Sequence, residues 1–203
     1  VTGEGEAAIA PDMAVLQLAV MREAKTARAA LDANNEAMAA VLAAMKEAGI
    51  ADRDLQTAGL QINPKYHYPQ SGNEQPRITG YQVSNALSIR VRNLDDLGGI
   101  IDQSVTLGVN QGGGISFTND DPSAALTEAR KRAVADAMAR ARTLAEAANV
   151  ELGGIIEMSE QTTNQPPMPI TAKGFRAEAD AVPVASGENT YRIQINVTFE
   201  IAR

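Results

Sequence analysis

The sequence predicts an α+β fold built from pseudo-repeated strand-helix-strand-strand units, with a largely antiparallel sheet and two long helices packed on one face. Three observations carry this. Two segments of more than twenty residues repeat apolar side chains at helical spacing, around Leu31–Met45 and Val134–Ala148. Shorter stretches alternate apolar and polar residues with a period of two, as strands do. The two longest of these also match position by position: Tyr191, Ile193, Ile195, Val197, Phe199 and Ile201 correspond to Tyr81, Val83, Asn85, Leu87, Ile89 and Val91. A unit of about a hundred residues repeated twice suggests a pseudo-symmetric body and not a solenoid.

Met13 to Arg22 alternates as a strand, with Leu16, Leu18 and Val20 on one face. A helix follows from Ala27 to about Ala48, burying Leu31, Met38, Val41, Leu42 and Met45, and Gly49 supplies the left-handed exit. Leu55 to Asn63 is the next strand, with Leu60 and Ile62 in register. A polar projection, residues 64–76, leads into a long strand, Ile78 to Arg92. Asn93, Asp95 and Asp96 then introduce a connecting helix over 94–107, which Gly98 and Gly99 weaken.

The second half repeats the plan, so the pseudo-repeats run over about 13–92 and 112–202. Ile115 to Thr118 reads as its first strand. Asp121 then caps a helix that Pro122 opens, since proline lacks only an N–H that would be unpaired anyway. Val134, Met138, Ala141, Ala145 and Ala148 form its inward stripe. Glu128, Arg132, Asp136 and Arg140 alternate in charge every four residues and tie a second face together. Asn149-Val150 closes this helix where Gly49-Ile50 closes the first. A strand from Ile155 to Glu160, a Pro-rich projection over 162–186 and the final long strand complete the chain.

At 203 residues the chain is long enough to bury a sizeable core, and 44% hydrophobic residues place it among globular proteins. The net charge is −7, and the densest basic run, Arg130-Lys131-Arg132, points in three directions on a helix. No nucleic-acid face is expected. No apolar run spans a bilayer, and the absence of Trp with 3% aromatics argues against an outer-membrane barrel. Zero Cys removes thiolate chemistry, disulfides and sulfur-based metal sites. The chain begins at Val1 with no charged-then-apolar leader, which reads as a mature or trimmed form.

Candidate sites for chemistry are thin. His67 is the one histidine, and it sits between Tyr66 and Tyr68 with no nucleophile elbow beside it, so a surface histidine packed by tyrosines is the better reading. Asn119-Asp120-Asp121 lacks the alternating spacing of a calcium loop. Gly112-Gly113-Gly114 lacks the Lys-Ser/Thr pair of a nucleotide loop and reads as a tight turn or bulge. The methionines lie mostly on inward stripes, where packing explains them. No catalytic, metal or cofactor residues are assigned. The residues that look out of place are Tyr66 and Tyr68 in the first projection, and Met168, Ile170 and Phe175 in the second. Large apolar side chains in solvated loops mark protein contacts. These five are the candidate contacts to another subunit or a partner.

Several motifs resemble one family. They are Gly108-Val109-Asn110, Ile115-Ser116-Phe117, Asp121, Glu128-Ala129-Arg130, Ala133-Val134, Ala137, Ala141, Leu144-Ala145 and Leu152-Gly153. The opening Val1–Gly5 with Ala10-Pro11-Asp12, then residues 52–57, Ile78–Tyr81 and Gly187–Asn189, extend the match over the whole chain. Together they are similar to the SIMPL-domain family, in its bacterial periplasmic immunogenic and oxidative-stress defence branch. The resemblance implies one SIMPL-type domain over residues 1–203, a periplasmic location with outer-membrane association as a further option, and a protective role under stress. It supplies no catalytic motif.

The reading is therefore a non-enzymatic periplasmic protein that self-assembles into a homo-oligomer and meets other envelope proteins as partners. The alternative is a chaperone-like or adaptor module that captures a protein through its Pro-rich loop.

Overall fold

A computed structural model describes residues 1–68, 75–161, 168–170 and 184–202, with side chains omitted at 168–170 and 202. Its elements run β1 (Thr2–Ile9), β2 (Met13–Ala24), α1 (Ala27–Glu47), β3 (Leu55–His67), β4 (Arg77–Val91), α2 (Leu97–Thr106), β5 (Gln111–Thr118), α3 (Ser123–Ala148), β6 (Glu151–Gln161), β7 (Met168–Ile170) and β8 (Glu188–Ala202). The α+β class and the antiparallel pairing follow the sequence reading. The strands, however, divide between two sheets, each with its own long helix, where the sequence suggested one sheet carrying both.

One unit comprises the described parts of residues 1–11, 118–174 and 186–203. Its sheet has the order β1-β8-β6, with β7 also paired to β8. α3 lies on β1 and β8. The buried stripe of α3 is Ala125, Ala129, Ala133, Ala137, Ala141 and Ala145, so the inward face is turned about one residue from the Val134–Met138 stripe read from sequence. Val134 and Met138 are half-buried at its margin. The reason lies in β1, whose inward positions are Gly3, Gly5 and Ala7. A Cβ on Gly3 would meet the Ala133 carbonyl and come within 2.7 Å of Ala137 Cβ; one on Gly5 would come within 2.9 Å of Arg132 Cβ. Glycine on the strand and alanine on the helix let the two backbones approach, and larger side chains on the helix turn outward. Ile193, Ile195 and Val197 of β8 fill the rest of this core.

A polar knot fixes the ends of these strands. Asn119 Nδ2 donates to the Ala10 carbonyl at 2.7 Å, and Asn119 Oδ1 accepts from Asn189 Nδ2 at 2.9 Å and from the Tyr191 hydroxyl at 3.1 Å. Each buried amide thereby finds partners, as burial demands.

The other unit holds the described parts of residues 12–117 and 175–185. Its sheet has the order β3-β4-β2-β5. α1 packs Met38, Val41, Ala44 and Met45 onto Leu16, Leu18 and Val20 of β2 and Leu87, Ile89 and Val91 of β4, with Leu97 and Ile100 of α2 closing the cluster. Buried Asn34 on α1 donates to the Val20 carbonyl at 2.7 Å and the Val83 carbonyl at 3.1 Å, pinning the helix to both strands. α2 is regular through Gly98 and Gly99, after a short 3-10 turn over Leu94–Asp96.

The long strands β4 and β8 hold the same place, each flanked on both sides within its sheet. Ile115–Thr118, read from sequence as the head of the second repeat, lies in β5 and bonds β2 in the other sheet; β1 is the strand beside β8. The helix exits do match. Ile50 N–H reaches the Met45 carbonyl, Val109 N–H the Ser104 carbonyl and Val150 N–H the Ala145 carbonyl, each at 3.0 Å. Gly49, Gly108 and Asn149 take the left-handed conformation this closure needs. At the α3 entry, Asp121 Oδ1 accepts from Ser123 N–H at 2.9 Å, and this bond holds its carboxyl below the usual range.

Candidate assembly surface

In each unit one helix faces a sheet that is too wide for it. A helix is roughly 10 Å across, while even three of the four strands need about 14 Å at their usual spacing. Among the described residues α3 therefore lies mainly on β1 and β8, and α1 on β2 and β4, with little helix over β6 and β3 at the margin. β3 is exposed at every residue after Leu55, and β6 at every residue after Gly153.

The side chains left uncovered are large and apolar. Leu60 and Ile62 of β3 stand opposite Asn85 and Val83, on the same face as the core of their unit, yet are 52% and 45% exposed. On β6, Ile155 and Met158 stand opposite Phe199 and Val197 and are 47% and 46% exposed, and Ile156, the extra residue of the bulge, is more exposed still. Ile78 beside β3 and Ile201 beside β6 lengthen each strip. A long apolar edge with unpaired backbone groups is a surface that natural sheets usually hide.

The sequence-predicted contact residues fall as follows. Tyr66 is not in a loop: it belongs to β3 and pairs with Ile78, because the strand runs on through Pro64 to His67. Proline is tolerated there since β3 is an edge strand. Tyr66 and Tyr68 are both exposed, with ring centroids 6.3 Å apart at 45°. Met168 and Ile170 lie in β7, opposite Thr190 and Glu188, and their side chains are outside the described atoms. Phe175 lies outside the described residues. His67 ends β3 opposite Arg77 and is exposed. The glycine triplet is part of β5, with Gly113 set close over Gln17. Among the described residues no three His, Asp or Glu side chains gather as a metal site.

The edge at β1 is treated differently. The alternating stripe of α3 pairs within itself, Arg132 with Glu128 at 3.1 Å and Arg140 with Asp136 at 2.9 Å. It also reads the outward backbone of β1. Arg132 donates to the Glu6 carbonyl at 2.8 Å, Asp136 accepts from the Glu4 N–H at 2.9 Å, and Arg140 donates to the Thr2 carbonyl at 3.1 Å. Four helical residues rise about 6 Å and two strand residues about 6.7 Å, so the two ladders stay in step. Three of the outward backbone groups of β1 are thereby bonded within the chain.

Ion pairs steady the two open strands from inside. Asp54, buried at the head of β3, accepts two bonds from the Arg92 guanidinium at 2.9 and 3.1 Å. That hydrogen bonding, with the nearby positive charge, holds the Asp54 carboxyl below its ordinary value against the opposing effect of burial. Arg130 of α3 holds Glu160 of β6 through two bonds at 2.8 and 3.1 Å, and Lys65 of β3 meets Glu23 of β2 at 2.6 Å. The arrangement offers strands for pairing.

Known proteins are similar along the whole chain. The model of the SIMPL family, described as "Protein of unknown function (DUF541)", matches residues 1–199. The "26 kDa periplasmic immunogenic protein" of Brucella melitensis is 56% identical over 99% of this chain and 83% of its own length, and that of Brucella abortus matches equally. The "Uncharacterized protein YggE" of Escherichia coli K12 is 29% identical over 94% of this chain and 78% of its own length.

Proposed function

This chain belongs to the SIMPL family, and on that premise we propose that it is a non-enzymatic periplasmic protein that self-assembles into a homo-oligomer and protects the envelope under stress. The periplasmic placement is taken from the name of its Brucella relatives. None of the helices among the described residues is long and apolar enough to cross a membrane, which agrees with it. The stress role is taken from the family resemblance.

The observation that carries assembly is the pair of uncovered apolar edge strands, β3 and β6. Left in water they invite indiscriminate strand pairing, and a defined oligomer is the ordinary way to occupy them. Tyr66 and Tyr68 widen the β3 strip.

Light scattering after size exclusion tests this. A monodisperse particle of several 21.4 kDa subunits is expected. A monomer at all concentrations refutes it and favours the adaptor reading, in which the same strands take an extended segment of another protein. For the protective role, a deletion strain should show peroxide sensitivity that the parent gene corrects and an assembly-defective variant does not.

A further inference from the structure

We propose that the copies join head to tail, the β6 edge of one copy pairing with the β3 edge of the next; this rests on the self-assembly reading above. The sheet edges of this chain are not equivalent. Three outward groups of β1, the Thr2 and Glu6 carbonyls and the Glu4 N–H, are taken by Arg140, Arg132 and Asp136 of α3, which lies along that strand. β5 is short and glycine-rich, with Ile115 as its one exposed large apolar residue. That leaves β3 and β6 as the edges that combine length with exposed Leu, Ile and Met side chains.

Charge then decides which edge meets which. β6 carries Glu151, Glu157 and Glu160 and no basic residue, whereas β3 carries Lys65 and no acidic one. Arg77, exposed opposite the end of β3, adds to its positive side. Glu160 takes Arg130 and Lys65 takes Glu23, but Glu151 and Glu157 keep the β6 edge acidic. Two β6 edges brought together would set like charges across from one another, which is unfavourable in a strand pair. Two β3 edges could meet, but every β6 strip would stay bare. Pairing β3 with β6 covers both strips and opposes unlike charges.

The irregularities of the two strands limit the register. β3 has a bulge between Thr57 and Gly59 and Pro64 further on, so its regular stretch is Leu60–Asn63. β6 has bulges between Leu152 and Glu157, so its regular stretch is Glu157–Gln161. Bulges and proline stop a strand edge from accepting a partner just anywhere. Because the joined surfaces differ, the contact is heterologous, and it repeats until a ring closes or a filament grows.

Complementary variants test the pairing. L60E/I62E makes the β3 edge acidic, and I155K/M158K makes the β6 edge basic; all four side chains are already about half exposed, and far-UV circular dichroism checks the fold. Each variant alone is expected to fall at least to half the parental mass, because its altered edge now repels or fails to hold its neighbour. An equimolar mixture should regain the parental mass, since every junction again opposes unlike charges. Either variant assembling alone like the parent, or a mixture that stays dissociated, overturns the proposal. A second measurement keeps the native edges: the chain has no cysteine, so Q61C and S159C give clean single thiols. In a mixture of the two, oxidation should yield mostly Q61C–S159C dimers, and a majority of either homodimer refutes the pairing. A monomeric parent would instead refute self-assembly itself, before any variant is made.

Discussion

The close approach of β1 to α3 gives the sharpest prediction. Gly3→Ala adds one methyl group where β1 touches α3, and the atoms it meets are the Ala133 carbonyl, the Ala137 backbone nitrogen and Ala137 Cβ at 2.7 Å. Two of the three are backbone of a well-formed helix, so no rotamer change relieves the contact. The strand or the helix must shift. Overpacking of this kind costs about 1–3 kcal/mol, and a backbone collision belongs at the upper end. For a chain of this length that is a fall in melting temperature of roughly 6–12 °C. Gly99→Ala is the control. It lies in α2 with nothing within 4 Å of the added carbon, so the better helix propensity of alanine should raise stability by about 0.5–1 kcal/mol. Urea melts read at one protein concentration, so that assembly contributes equally, should show opposite signs. Gly3→Ala matching the parent would mean that α3 does not sit on β1 as closely as described.

Two other outcomes follow from burial and charge. Ala133→Asp puts a carboxylate at a fully buried position on α3 and should abolish the soluble fold, whereas Met138→Asp, at a half-buried position, should leave it folded with a modest loss; the reverse order in a solubility and melting comparison would restore the Val134–Met138 stripe as the inward face. Asp54→Asn should cost about 1–3 kcal/mol at neutral pH through its two bonds to Arg92. The folded carboxyl lies below its ordinary 3.8, so the stability it contributes is present above that value and is lost as pH falls through the folded one. Melts between pH 7 and pH 2 should therefore show a smaller acid loss in Asp54→Asn than in the parent.

Much of the fold could be read from sequence because periodicity reports burial directly. Leu16, Leu18, Val20, Leu87, Ile89 and Val91 alternate, and all are buried. The helix exits at Gly49 and Asn149 could be read because a left-handed residue after an apolar stripe has few other uses. Two things could not. The inward face of α3 was misplaced by about one residue because periodicity rewards large side chains, and this interface excludes them: Gly3 and Gly5 admit only alanine. The place of Ile115–Thr118 was also hidden, since its pairing with β2 depends on strands far apart in the chain, and no local pattern names a strand's neighbour.

The assembly surface shows a different limit. Leu60 and Ile62 have the alternation of core residues, and pattern alone assigns them inward. They do face the helix side of their sheet, so the pattern is obeyed; what fails is the step from facing inward to being covered. Ile155 and Met158 share a face only because a bulge lies between them, which no alternation reveals. Counting would have exposed the gap, since the sequence provides one long helix for each group of three strands, and one helix covers two. The charge stripe Glu128–Arg140 shows the same thing from the other side. Read as a face tied together by its own charges, it is that, but three of its members also bond the outward backbone of β1. With β1 bonded to α3, and β3 and β6 left apolar and open, the chain discriminates among its own edges. That asymmetry is what a head-to-tail contact needs and what unselective aggregation lacks.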